Sequence, residues 1–119
     1  MKVLVVDDNK AMTTIVGMMM EKKNHRVITA NDVESGYAAY LQFEPDLVLT
    51  DIQMPGKNGF ELMTKIRSHD PSIMAIYMTG NPSRFLLQLK EEQNRHPVDF
   101  ICKPFSIAEL SMMLSKLQD

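Results

Sequence analysis

Three carboxylates, a hydroxyl and an amine stand where apolar runs of this 119-residue chain give out. Asp7 and Asp8 follow the run Lys2–Val6, Asp51 follows Leu47–Thr50, Thr79 follows Ile73–Met78, and Lys103 follows Val98–Cys102. Carboxylates gathered at one place repel one another, so such a cluster calls for a cation. Oxygen-only ligands favour a hard ion, and few protein ligands with room for water suit Mg²⁺ better than Ca²⁺. Lys103 adds a compact mobile charge for a carboxylate or a phosphoryl oxygen, and Thr79 adds one donor. A cation, the lysine and the hydroxyl together would neutralise three phosphoryl oxygens, with Asp51 as the in-line nucleophile. The competing reading is a salt-bridged acid cluster with Lys103 as counter-ion, Asp51 merely capping a turn. A cluster of that kind is costly without a function.

Chemistry at these positions requires elements that bring them together. Asp46 to Thr50 reads as a strand buried on both faces, as in a parallel sheet. The residues behind Asp51, namely Pro55, Gly56, Asn58 and Gly59, form a turn. Lys2–Val6, Arg26–Ala30, Ile73–Met78 and Val98–Cys102 are the other strand candidates. Between them lie helical patterns. Lys10 to Lys23 carries Met12, Ile15, Val16 and Met19 on one face. Asn31 with Glu34 has the form of a capping box, followed by Val33, Tyr37, Tyr40 and Leu41 as a stripe that Pro45 ends. Asn58 and Gly59 lead into a helix with Phe60, Met63 and Ile66 inward, stopped near Asp70-Pro71. Gly80-Asn81-Pro82 reads as turn, cap and first helical position. The helix from Ser83 to Asn94 is the least regular, because Phe85, Leu86, Leu87 and Leu89 wrap around it. Ser106 and Glu109 form a capping box for the last helix, with Leu110, Met113, Leu114 and Leu117 inward.

Strand and helix thus alternate five times, which implies a parallel sheet covered on both faces. In such a sheet the carboxyl ends of the strands share one edge, where open α/β sheets bind ligands. The five groups converge there from four separate parts of the chain.

Composition sets the bounds. Apolar residues at 45% and charged residues at 24% describe an ordinary globular domain, and the length fits one domain covering 1–119. A formal net charge of −2 provides no basic field for nucleic acid or anionic lipid. No apolar run nears the roughly 20 residues of a membrane span, so neither direct nucleic-acid binding nor membrane insertion is expected. The opening Met1–Val6 runs straight into two acids, unlike a signal peptide. A lone Cys102 excludes an internal disulfide and fits a reducing cytoplasm. Cys102 itself reads as a strand-end core thiol, and His25, His69 and His96 as solvated residues without ligand spacing.

The Asp7-Asp8 pair, Asp51 followed by Met54-Pro55 and Gly59, Thr79, and Lys103-Pro104 together make the chain resemble a response-regulator receiver domain of two-component signalling, the family of the single-domain chemotaxis regulator. The resemblance implies a flavodoxin-like (βα)5 fold, a three-layer sandwich with strand order 2-1-3-4-5. It implies phosphoryl transfer from a phosphohistidine of a sensor histidine kinase or phosphotransfer protein onto Asp51, with slow self-catalysed hydrolysis. Asp8 and Asp51 would ligate Mg²⁺ (or Mn²⁺ as a substitute), Asp7 would act mostly through water, and the backbone carbonyl of Gln53 would complete the protein ligands. Thr79 and Lys103 would hold the phosphoryl group, and the Lys103-Pro104 bond would be cis. Phe100 falls at the aromatic switch position. With Thr79 it would reshape the surface of helix 4, strand 5 and helix 5 toward a downstream effector domain or protein, as a monomer or a weak phosphorylation-dependent dimer.

The chain departs from that pattern in places. Phe100 replaces the usual Tyr and lacks its hydroxyl. The stretch from Thr79 to Lys103 runs about two residues longer than is usual, and His96-Pro97 replaces a common Gly-Ala. The alternative reading is a phosphorylation-independent interaction module on the same fold. A haloacid-dehalogenase-like phosphatase would need a second acid two residues after the nucleophile, where this chain has Gln53. An FMN carrier is disfavoured because acids at the first strand end would repel its phosphate.

Overall fold

A computed structural model describes residues 1–118. Five strands, β1 (Lys2–Val6), β2 (Arg26–Ala30), β3 (Leu47–Asp51), β4 (Met74–Thr79) and β5 (Val98–Cys102), alternate with five helices, α1 (Lys10–Lys22), α2 (Val33–Phe43), α3 (Gly59–Arg67), α4 (Pro82–Arg95) and α5 (Ile107–Gln118). The strands form one parallel sheet in the order β2-β1-β3-β4-β5. This is the flavodoxin-like arrangement.

Helical crossovers cover both faces, so the central strands have no solvent side and read as continuous apolar runs. All five residues of β3 are buried. Alternation along each strand divides the core in two. Val3, Val5, Leu47, Leu49, Ile76, Met78 and Ile101 pack with Val16 and Met20 of α1 and Leu110 and Leu114 of α5. Leu4, Val6, Val48, Ala75 and Tyr77 pack on the other side with α2, α3 and Leu89 of α4.

Local signals set most helix starts. Asn58 and Glu61 exchange hydrogen bonds in a capping box at α3. Ser106 and Glu109 do the same before α5, with the Glu109 N–H donating to Ser106 Oγ at 3.1 Å. Pro82 opens α4 behind Asn81.

Other expectations are corrected. The cap of α2 is Asp32, whose Oδ1 accepts from the Ser35 N–H at 2.7 Å. Asn31 is instead spent on tertiary contacts: its Nδ2 donates to the Asp7 carbonyl (2.8 Å) and to Thr13 Oγ1 (3.2 Å). The inward face of α1 is Thr13, Val16, Gly17 and Met20, whereas Ile15 is 56% exposed. Thr13 can face the sheet because its hydroxyl is bonded to the Lys10 carbonyl and to Asn31, and that satisfied polar residue shifts the apparent apolar phase. Leu41 of α2 is also exposed, and α4 buries only Leu89 while Leu86 and Leu87 face solvent. His25 is buried, with Nδ1 at 3.2 Å from the amino terminus, and Cys102 is exposed.

Candidate functional site

The strand ends meet as the alternation requires. Asp51 closes β3 on the side of Leu47 and Leu49, while Asp7 and Lys103, one residue beyond β1 and β5, continue the phase of Val5 and Ile101. Three side chains from three strands therefore point toward one another. Lys103 Nζ lies 2.6 Å from Asp7 Oδ2 and 3.3 Å from Asp51 Oδ2. Asp8 joins them: one carboxylate oxygen from each of Asp7, Asp8 and Asp51 can be chosen with all three within 4.8 Å of one another.

The acids are not equivalent. Asp7 is 1% exposed and both its oxygens are engaged, Oδ1 by the Asn9 N–H (3.0 Å) and Oδ2 by Lys103. Asp8 is exposed. Asp51 is buried, holds Lys103 on Oδ2, and keeps Oδ1 without a donor among the described residues. Burial raises the Asp51 pKa, and Asp7 and Asp8 add to this against the pull of Lys103. Burial likewise lowers that of Lys103, but its hydrogen bonds and charge pairing with Asp7 and Asp51 outweigh burial and leave it raised. Two buried acids and a third nearby against one amine leave the site short of positive charge. The donor set, carboxylate oxygens alone, fits a hard divalent ion.

Backbone geometry fixes the acceptor. The loop after Asp51 turns through Gly56 at φ 83° and returns so closely that the Gly59 N–H donates to the Ile52 carbonyl at 2.9 Å. A Cβ on Gly59 would overlap the Asp51 carbonyl oxygen, so only glycine lets α3 start there. Gln53 lies exposed in this loop, and its carbonyl accepts no hydrogen bond among the described residues.

Thr79 is reached from the opposite phase. Met78 pairs with Asp51, and Thr79 is the next residue, 1% exposed. Its Oγ1 accepts from the Asn81 N–H at 3.0 Å, which leaves the hydroxyl proton available. Its carbonyl takes the Lys103 N–H at 2.7 Å, just before the cis Lys103-Pro104 bond. Phe100 pairs with Tyr77, half-buried against the α2–α4 side of the core. Phe100 and Thr79 thus share a sheet face.

Asp7, Asp8, Asp51, Gln53, Thr79 and Lys103 fall at this edge, while Phe100 stands at the middle of β5. Sequence reasoning missed Asn9 and Asn31, which fix Asp7 by its carboxylate and its carbonyl. Asn9 directly follows the pair and holds Asp7 with its backbone N–H, so its residue type carried no signal for that contact.

Comparison with known proteins points to one family. The family profile described as "Response regulator receiver domain" matches residues 3–115. The chain is 30% identical over 115 residues to the "Probable transcriptional regulatory protein TcrX" of Mycobacterium tuberculosis, covering 97% of this chain and 48% of that protein. It is 33% identical over 119 residues to the CAI-1 autoinducer sensor kinase/phosphatase CqsS of Vibrio cholerae, covering 98% of this chain and 17% of that protein. The chain therefore spans half or less of the length of these relatives. Among solved structures, the chemotaxis protein CheY4 of Vibrio cholerae superposes with a TM-score of 0.86 at 26% identity, over 97% of this chain and 96% of that one.

Proposed function

The chain belongs to the response-regulator receiver family, and from that premise we propose that Asp51 accepts a phosphoryl group from the phosphohistidine of a sensor histidine kinase or phosphotransfer protein. The observation that carries the reading is the shared lysine: one Nζ within 2.6 Å of Asp7 and 3.3 Å of Asp51, at the sheet edge where three acids meet.

Asp51 Oδ1, which has no donor among the described residues, attacks phosphorus. The phosphorus–nitrogen bond of the donor breaks, the imidazole leaves and takes up a proton, and an acyl phosphate results. Lys103 turns from the carboxylate toward the transferring oxygens, and the free Thr79 proton meets another. Asp7, pinned on both oxygens, holds Lys103 in place and orients water. Asp8, Asp51 and the Gln53 carbonyl would hold Mg²⁺, which when bound offsets the charge of the acids and of the incoming phosphoryl group.

The switch then follows from the shared face. Thr79 drawn toward Asp51 leaves space beside Tyr77 that Phe100 fills, and the surface of α4, β5 and α5 changes for a downstream effector. Without a hydroxyl, Phe100 is driven by burial alone.

Intact mass after incubation with acetyl phosphate tests the transfer. A gain of one phosphoryl group that needs Mg²⁺ and is lost in Asp51→Asn supports it. No gain in folded, Mg²⁺-binding protein would favour a phosphorylation-independent interaction module. Beryllofluoride binding that leaves the Thr79 and Phe100 resonances unmoved would remove the switch.

A further inference from the structure

A cleft of about 480 Å³ lies between α3 and α4, apart from the strand-end acids, and its volume is that of a small-molecule site. Thr64 and Arg67 border it from α3, and Gln88, Glu91, Glu92 and Arg95 from α4. Arg67 is 8% exposed. Its Nη1 donates to the carbonyls of Pro71 (3.1 Å) and Ile73 (2.7 Å), anchoring the loop behind α3. Nε and Nη2 are buried and have no acceptor among the described residues. Loop anchoring does not account for them.

These two nitrogens form the side-on edge of the guanidinium, a fork that matches the two oxygens of a carboxylate. Buried donors rarely go unpaired in folded proteins, and an unpaired charged one is the costlier case. Both Arg67 nitrogens ask for an acceptor. The α4 wall meanwhile presents two carboxylates, Glu91 and Glu92, beside one guanidinium, Arg95; with Arg67 the cleft carries both signs of charge, which suits a zwitterion better than a multiply charged anion.

We propose that this cleft binds a free amino acid, with its carboxylate on the Nε/Nη2 edge of Arg67 and its ammonium toward Glu91 and Glu92. Arg67 lines the cleft, as do Gln88 and Glu91, both of them exposed. No residue of the strand-end site takes part, so the proposal stands apart from phosphoryl transfer.

The test is a ¹H–¹⁵N titration of the folded chain with the standard L-amino acids singly, followed by the carboxamide and the deaminated analogue of the tightest. Saturable shifts are expected at the amides of Thr64, Gln88 and Arg95 and at the Arg67 Nε–H. Removing the ligand's carboxylate charge, or substituting Arg67→Lys, should weaken binding about tenfold or more, the scale of a charge-assisted pair. Loss of the amino group should weaken it as well. Gln88→Phe, at an exposed position, should block the cleft and abolish the shifts while the rest of the spectrum is kept. The proposal is overturned if no amino acid gives saturable shifts in the cleft, if the carboxamide binds as tightly as the acid, or if Gln88→Phe leaves affinity unchanged.

Discussion

Lys103 and Asp51 act on one cluster with opposite signs of stability. Lys103 is the amine shared by Asp7 and Asp51, so Lys103→Ala in metal-free buffer should cost about 1–3 kcal/mol, the scale of a buried polar group left unpaired. Asp51 is held above the ordinary carboxylate range by burial and by its acidic neighbours. The folded state thus resists its ionisation, a cost absent below the ordinary range and felt as pH rises through the raised value. At neutral pH, Asp51→Asn should therefore stabilise the metal-free protein by about 1 kcal/mol, a typical gain when strain at a functional site is relieved. Urea denaturation of both variants checks the pair of signs; a destabilised Asp51→Asn would mean that the cluster is a satisfied ion network. Gly59→Ala is a third case. Its Cβ would overlap the Asp51 carbonyl, so a loss of about 2–4 kcal/mol is expected, together with slower phosphorylation because the acceptor strand end moves. These acids and the lysine were legible because each ends an apolar run. Asn31 was not, because its value lies in a distant backbone partner, the Asp7 carbonyl; Asn9 was not, because it acts through a backbone N–H that most residue types offer; and Arg67 was not, because a single cation bonded to loop carbonyls leaves no apolar pattern.

Helices were easier to locate than to orient. The period of α1 was readable, but its phase was set by Thr13, whose bonds to the Lys10 carbonyl and Asn31 admit it to the core. Hydrophobicity alone could not reveal a polar residue satisfied by tertiary contacts. Met20 is 1% exposed and Ile15 is 56% exposed. Met20→Ala should therefore cost about 2–4 kcal/mol, and Ile15→Ser should stay within about 0.5 kcal/mol. Equal losses in thermal or urea unfolding would contradict the observed face. The cap of α2 moved one residue, from Asn31 to Asp32, for a related reason: both residues can cap, and Asn31 had a competing use. In α4, Leu86 and Leu87 remain exposed beside the half-buried Phe100 strand. On the proposed reading this surface changes with phosphorylation, and it is the part of the chain where apolar periodicity said least about burial.

For the molecule as a whole, topology does the assembling. Parallel strands with helical crossovers place every carboxyl end on one edge, so residues as far apart as Asp7 and Lys103 come within 2.6 Å. That much follows from five apolar runs and their punctuation. Residue types alone leave the division of labour among the acids open, since it depends on which oxygens the backbone and Lys103 already occupy; in the sequence only the family resemblance assigned it. In the structure Asp7 is engaged on both, Asp8 faces solvent, and Asp51 keeps one oxygen free. The central claim is that this free oxygen is the phosphoryl acceptor. Its most direct test is to treat the protein with acetyl phosphate and Mg²⁺, reduce any acyl phosphate with borohydride, and locate the resulting homoserine by peptide mass spectrometry. The account predicts homoserine at position 51 alone, and none without Mg²⁺. Homoserine at position 7 or 8, or an unmodified Asp51 in folded protein, would contradict it.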